Sequence, residues 1–374
     1  MKTMTLLLSI GICLNILCGC TSKSPNRQTK KGNLSRIECL SIDVTENYAQ
    51  TYGGSFCQST SAQIGGKDCF IGYNRHLHCI DIINLTDQKP LKQIPLESQG
   101  PDGIPDVLGV HYYQNTFVIK SSFGFCRIDD KGNILSKWSL NNFFEKEGKD
   151  YTFTIPGSEI IIMNVYSFMF FDEREGVVAF PIYKDEKNGN GEFEKEILLF
   201  SCKDWSIVDR IDISYPTNLQ RRKNLDILGS INVLPHGNLV IYNFPASSEV
   251  FVYNRTTQTT RSYDIPSSYA KSIYEGGVTS GFYRPLVYDV HRNTFWRVQD
   301  RPFTSGRGVA GKPFSISQIS SDFELLGEHS ILEEEHSGLI DTNPIFTNDA
   351  ILFTYNGGEY ISLNNMAFYG LKLE

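Results

Sequence analysis

From residue 37 onward, apolar and polar positions alternate in short runs, and clusters of Gly, Asn, Asp and Pro interrupt them. A period of two sends successive side chains to opposite faces of a strand, so these runs predict β-strands joined by turns. Only Asn141 to Gly148 and Pro266 to Gly276 read as short helices. One unit recurs six times: an extended apolar segment, a polar turn, a second strand, an aromatic or Ile beside Asp or Asn, then a further turn and strand. The copies run Cys69 to Leu96, Val107 to Leu140, Phe168 to Ile213, Ile231 to Ile265, Tyr283 to Leu332 and Pro344 to Leu373. In the second copy, Asp130-Lys131-Gly132-Asn133 supplies a hairpin turn.

Units roughly 45–70 residues apart suit a propeller better than a solenoid. A four-stranded blade cannot cover its own two faces. Stacking blades radially buries both, and closing the ring protects the sheet edges. The predicted fold is therefore all-β, a six-bladed β-propeller over residues 37–374. The strand Ile37 to Val44 (IECLSIDV) precedes the first unit and is expected to pair with the last blade near Ala367 to Leu373. That pairing of N- and C-terminal strands would close the ring. Strand-like segments between Tyr151 and Val165 (TFTIPG, EIIIMNV) leave seven blades as the alternative.

The N-terminus has a different character. Lys2 precedes the apolar run Leu6 to Leu17, which has the length of a signal-peptide core and is too short for an ordinary spanning helix. The run ends in Leu17-Cys18-Gly19-Cys20, which resembles the bacterial lipobox. By that resemblance residues 1–19 are a lipoprotein signal peptide, and Cys20 becomes the lipidated first residue. Residues 20–36 read as a polar tether. The tether carries Lys23, Arg27, Lys30, Lys31 and Arg36, and no acidic residue precedes Glu38. Surface-displayed lipoproteins of Bacteroides-type bacteria tend to be acidic at this point. The expected location is a Gram-negative envelope, at the outer membrane facing the periplasm, with the cell surface as the alternative.

Composition narrows the function classes. The formal net charge is -7, which excludes a general nucleic-acid binder. Of nine cysteines, six remain after removal of the signal and lipidation: Cys39, Cys57, Cys69, Cys79, Cys126 and Cys202. An exported chain permits disulfides, but Cys79, Cys126 and Cys202 lie in strand-like runs where a buried thiol is the expected role. Four motif-like stretches carry no expected chemistry. Gly306 to Pro313 (GRGVAGKP) approaches a phosphate loop, but Pro313 replaces the required hydroxyl residue and a strand follows. Asp185 to Glu196 resembles a calcium loop, with Lys187 and Asn190 at disqualifying positions. His76 and His78 would share one face of a strand but have no clear third ligand, and Glu333 to His336 reads as a solvated loop. No cofactor and no metal are expected.

Two blocks carry a family resemblance. Glu97 to Leu135 (ESQGPDGIPDVLGVHYYQNTFVIKSSFGFCRIDDKGNIL) and Tyr283 to Val298 (YRPLVYDVHRNTFWRV) resemble sequences of domain-of-unknown-function family 4221. Its members are Bacteroides-type lipoproteins similar to TolB-like six-bladed propellers. Asp102 stands where the family often has Asn, and Trp296-Arg297 where it has Tyr-Arg. The resemblance implies fold and compartment, and no reaction. Within these blocks, Asp102, Asp106, Tyr283, Arg284, Trp296 and Arg297 are the candidate ligand-binding residues. Rings beside guanidinium groups can hold a carboxylate, a phosphate or a sugar. The opposing expectation is structural, with Arg284 and Arg297 paired to Asp289 or Asp300 inside the blade. No catalytic residue stands out, and more weight falls on a non-enzymatic binding or scaffold module for a protein or glycan. A lyase or glycosidase in the central channel is the alternative. A monomer is expected.

Overall fold

The computed structural model describes residues 34–44, 59–100, 103–147, 151–152, 170–185, 193–216, 231–269, 283–300, 314–331, 339–340, 343–356 and 365–373. They form six antiparallel sheets. Blade 1 holds β2 (Thr60–Ile64), β3 (Lys67–Asn74), β4 (Cys79–Asn84) and β5 (Lys89–Pro95). Blade 2 holds β6 (Gly109–Tyr113), β7 (Thr116–Ser121), β8 (Gly124–Ile128) and β9 (Ile134–Ser139). Blade 3 holds β10 (Tyr151–Thr152), β11 (Phe170–Asp172), β12 (Val177–Asp185), β13 (Phe193–Ser201) and β14 (Ile207–Asp212). Blade 4 holds β15 (Asn232–His236), β16 (Leu239–Asn243), β17 (Glu249–Asn254) and β18 (Thr259–Asp264). Blade 5 holds β19 (Tyr283–Asp289), β20 (Thr294–Asp300), β21 (Phe314–Ile319) and β22 (Leu325–Ile331). Blade 6 holds β23 (Leu339–Ile340), β24 (Ile345–Phe346), β25 (Ile351–Asn356) and β26 (Asn365–Leu373), and its last strand is β1 (Leu34–Asp43) from the other end of the chain.

The closure predicted from the sequence is present. β1 runs antiparallel to β26 from Leu34 opposite Leu373 to Asp43 opposite Asn365, with a register shift between Ile37 and Leu40. The strand begins at Leu34 rather than Ile37. Ladder hydrogen bonds join backbones, so the polar segment Leu34-Ser35-Arg36 pairs although its side chains carry no strand pattern.

The core decides the blade number. Buried apolar side chains fall into six clusters, and each draws on two neighbouring blades: 1 with 2, 2 with 3, 3 with 4, 4 with 5, 5 with 6, and 6 with 1. The last, where Ile42, Leu352 and Phe368 meet Phe70 and Ile83, leaves no gap for a seventh blade. Tyr151 and Thr152 instead pair with β12 in blade 3, and residues 153–165 of the seventh-blade alternative lie outside the described residues. Sandwiching also explains the burial patterns. Middle strands such as β4 are buried at every position, whereas the outer strand β14 alternates exposed and partly covered residues.

Local chemistry places the turns. Asp129 accepts hydrogen bonds from the amides of Lys131 and Asn133 at 2.9 Å each, setting the hairpin read at residues 130–133. Gly132 there has φ +92°, and a Cβ at that position would lie 2.1 Å from the carbonyl oxygen of Pro95 in blade 1. The first expected helix forms as α1 (Leu140–Glu147), with Ser139 Oγ accepting from the Asn142 amide at 3.4 Å. Residues 266–269 of the second are not helical, and the rest of that segment is outside the described residues. Cys69, Cys79, Cys126 and Cys202 are free and buried, and desolvation pushes the Cys79 and Cys126 thiols up to about 12. Such thiols are inert small hydrophobes.

Candidate channel site

The first strands of the six blades surround a central cavity of about 440 Å³. Its wall is richest where these strands end and turn toward their second strands. There His111 and Tyr112 come from blade 2, Asp172, Glu173 and Arg174 from blade 3, and His236 from blade 4. Tyr288 and His291 come from blade 5 and Asp68 from blade 1, whereas Arg284 lines the wall at the opposite, starting end of β19.

Polar contacts tie these groups across blade boundaries. His111 Nδ1 lies 3.3 Å from Glu173 Oε1, and its ring packs on Phe171 at 5.4 Å. The buried Nε2 of His111 has no hydrogen-bond partner among the described residues. Asp172 is fully engaged: Oδ1 accepts from the amides of Arg174 and Glu175, and Oδ2 from the amide of Gly237 in blade 4. The Tyr288 ring receives the Arg174 guanidinium at 4.7 Å and the His236 ring at 4.2 Å. Its hydroxyl donates to Asn293 Oδ1 at 2.6 Å. His291 Nε2 lies 3.2 Å from Asp68 Oδ1, and Asp68 Oδ2 accepts from the amide of Asn348 in blade 6.

Burial, and then the Arg174 charge, hold the His236 imidazole below its ordinary pKa, with Asp172 partly opposing. The unfolded chain therefore takes up this proton first, and the His236 contribution to stability is lost as pH falls below about 6.5. Melting curves from pH 8 to 5 should decline over that window, and His236→Phe should remove part of the decline. An unchanged slope would rule out His236 as its source.

The sequence-chosen residues fall in separate environments. Arg284 lines the channel and pairs with Asp300 at 2.7 Å, as the structural expectation had it for that arginine. Its neighbours do not join it there. Successive residues of β20 face opposite interfaces. Trp296 is fully buried toward blade 6, packs on Phe346 and donates through Nε1 to Asp289 at 3.2 Å. Arg297, equally buried, reaches the other way into blade 4. Its guanidinium donates to the carbonyls of Ser248 and Ile265 and stacks over the Tyr283 ring at 4.3 Å. Arg297 therefore pairs with carbonyl oxygens rather than with Asp289 or Asp300. Tyr283 is buried, and its hydroxyl accepts from the Ser267 amide. Asp106 accepts from the amide and hydroxyl of Ser122, fastening the segment before β6 to the turn between β7 and β8. Asp102 and Cys20 lie outside the described residues.

Other sequence leads resolve simply. His76 and His78 sit in the turn between β3 and β4, not on a strand face, because Asn74 Oδ1 caps that turn by accepting from the amides of His76 and Leu77. His78 Nδ1 is bonded to the Tyr73 hydroxyl at 2.7 Å. Among the described residues, no three His, Cys, Asp or Glu side chains group to hold a metal. Residues 186–192 at the tip of the β12–β13 hairpin, Gly306 to Pro313, and Glu333 to His336 are outside the described residues. The channel groups missed in the sequence share a signal: each lies at or near the end of a unit's first strand, as in GVHYYQN, FFDERE, VLPHGN and VYDVHRN. Aligning the six units on those turns would have brought them together.

Comparison with solved structures gives two extensive likenesses. A DUF4221 family member from Bacteroides vulgatus is 17% identical with a TM-score of 0.69, covering 92% of this chain and 99% of that one. An exported protein from Bacteroides fragilis is 8% identical with a TM-score of 0.50, covering 93% of this chain and 97% of that one. At these identities both speak for the fold alone. No curated protein matches the chain in sequence. The family model described as a domain of unknown function, DUF4221, matches residues 32–330, the span from the closing strand through blade 5. The chain belongs to the DUF4221 family.

Proposed function

We propose that this chain is a lipid-anchored envelope propeller that binds a glycan at the channel mouth without transforming it. The observation that carries this reading is the cavity, about 440 Å³ and walled by the first strands of all six blades. Its size falls in the range of small-ligand sites and excludes a folded protein from the interior. Tyr112, Tyr288 and His236 put aromatic rings in the lining, the class of side chain that packs against sugar C–H groups, and rigid strands hold them in place. A lyase or glycosidase would need a carboxylate at liberty to exchange a proton. Asp172 is bound by three amides, Asp68 by His291 and Asn348, and Glu173 by His111. The engagement of both aspartates favours binding over chemistry, and Glu173 is the carboxylate on which an enzymatic alternative would rest.

The test is a glycan array probed with the mature protein. Wild type should retain a saccharide that Tyr288→Ala and Tyr112→Ala lose at least tenfold, each variant first shown to melt normally. Capture of no saccharide, or unchanged capture by both variants, would end this reading. The anchorage rests on Lys2, the apolar run and Cys20. Two or more acyl chains give stable attachment without a spanning helix, and the basic tether adds attraction to anionic headgroups. Intact mass should place acyl groups on an N-terminal Cys20, and Cys20→Ala should move the protein to the soluble fraction. Membrane retention of Cys20→Ala with unchanged processing would refute lipidation.

A further inference from the structure

Resting on the channel reading above, we infer that the bound saccharide is uncharged. The carboxylates Asp68, Asp172 and Glu173 stand on the wall against the guanidinium groups of Arg174 and Arg284. Arg284 is already neutralised by Asp300 at 2.7 Å. Arg174 has no carboxylate at ion-pair distance among the described residues, but its guanidinium lies over the Tyr288 ring at 4.7 Å. The wall thus carries three carboxylates against two guanidinium groups, one of them paired and the other held on a ring, and has no excess of positive charge to offset the desolvation of an anion.

A carboxylate brought to Arg284 would also meet Asp300, its partner at 2.7 Å, whose repulsion offsets the attraction of the guanidinium. A cation has the opposite difficulty. Asp172 and Asp68 are buried and already bonded, so only Glu173, whose side chain is 38% exposed and already lies 3.3 Å from His111, could receive it. A hydroxyl both donates and accepts. It can join a paired Arg–Asp or His–Glu couple without changing the charge of the wall. The aromatic part of the lining, Tyr112 and Tyr288 among it, adds apolar area that requires no charge on the ligand.

Titration calorimetry of the mature protein with maltotriose, diacetylchitobiose, digalacturonate and chitobiose tests this. At least one of the two neutral sugars should bind at least tenfold more tightly than digalacturonate and chitobiose. Its affinity should stay within about twofold between low and high salt, because no ion pair forms on binding. Glu173→Gln should narrow the gap by raising digalacturonate affinity. If digalacturonate binds best, weakens steeply with salt and is lost in Arg284→Ala, the ligand is anionic: the inference fails and the channel reading stands. Preferred binding of chitobiose overturns it in the same way. If none of the four binds, and the array also captures nothing, the channel reading falls and the inference with it.

Discussion

Arg297→Ala should lower the stability of the whole ring by about 3–5 kcal/mol, from the void left by a long buried side chain together with a buried carbonyl deprived of its donor. The guanidinium is fully buried and closes three contacts at once, to the Ser248 carbonyl, the Ile265 carbonyl and the Tyr283 ring. Burial lowers its pKa to about 10, which still leaves it charged at neutral pH. Alanine would strand the Ile265 carbonyl, leave the Ser248 carbonyl with the Ile265 amide alone, and open a void beneath the tyrosine. For a domain of this length, that cost corresponds to a fall in melting temperature of roughly 4–7 °C. Arg297→Lys should recover little of it, since one ammonium cannot reproduce the planar fork. Thermal denaturation followed by circular dichroism checks both. A melting temperature within a degree of wild type for Arg297→Ala would show that the contact between blades 4 and 5 does not depend on this residue.

Removal of residues 34–43 should have a larger effect still, the loss of cooperative folding. β1 completes blade 6, and without it β26 becomes an open edge with its backbone groups unpaired. The deletion also takes Ile42 from the cluster it shares with Phe70, Leu352 and Phe368. A milder variant, Ile42→Asp, keeps the chain length and places a carboxylate in that fully buried position. The expected result is aggregation of the deletion protein, and for Ile42→Asp early hydrogen exchange at the β26 amides, ahead of blades 2 to 4. A soluble deletion protein that melts like wild type would mean that the ring does not depend on closure by this strand.

How much of this was legible in the sequence follows from how local each feature is. A blade forms hydrogen bonds almost entirely within itself, so alternation and turn residues identify all six units, and the turn at Asp129 to Asn133 could be read from a few residues. Closure was legible because the strand Ile37 to Val44 stood ahead of the first unit with no unit of its own. What a given side chain faces was not legible. Trp296 and Arg297 look like site residues because they are large, polar-tipped and adjacent. Their neighbouring places on a middle strand send them to two different buried interfaces. The channel wall brings together residues from separate blades, each unremarkable within its own unit. His236 looks like part of a Pro-His-Gly-Asn turn until the ring curvature sets it against Tyr288.

The register shift in the closing ladder gives the ring a mechanical property. Leu34 to Ile37 pair with Leu373 to Gly370 as one group of rungs, and Leu40 to Asp43 pair with Phe368 to Asn365 as a second. Any pull on the chain ahead of Leu34 enters at the first group. A pull along the strand loads its rungs together, whereas a pull across it peels them one at a time, beginning at Leu34. The irregularity between Ile37 and Leu40 lets the outer group part while the inner group, pinned by buried Ile42, stays zipped. Those outer rungs act as a fuse: tugging frees a few residues of the strand before it can prise the circle open.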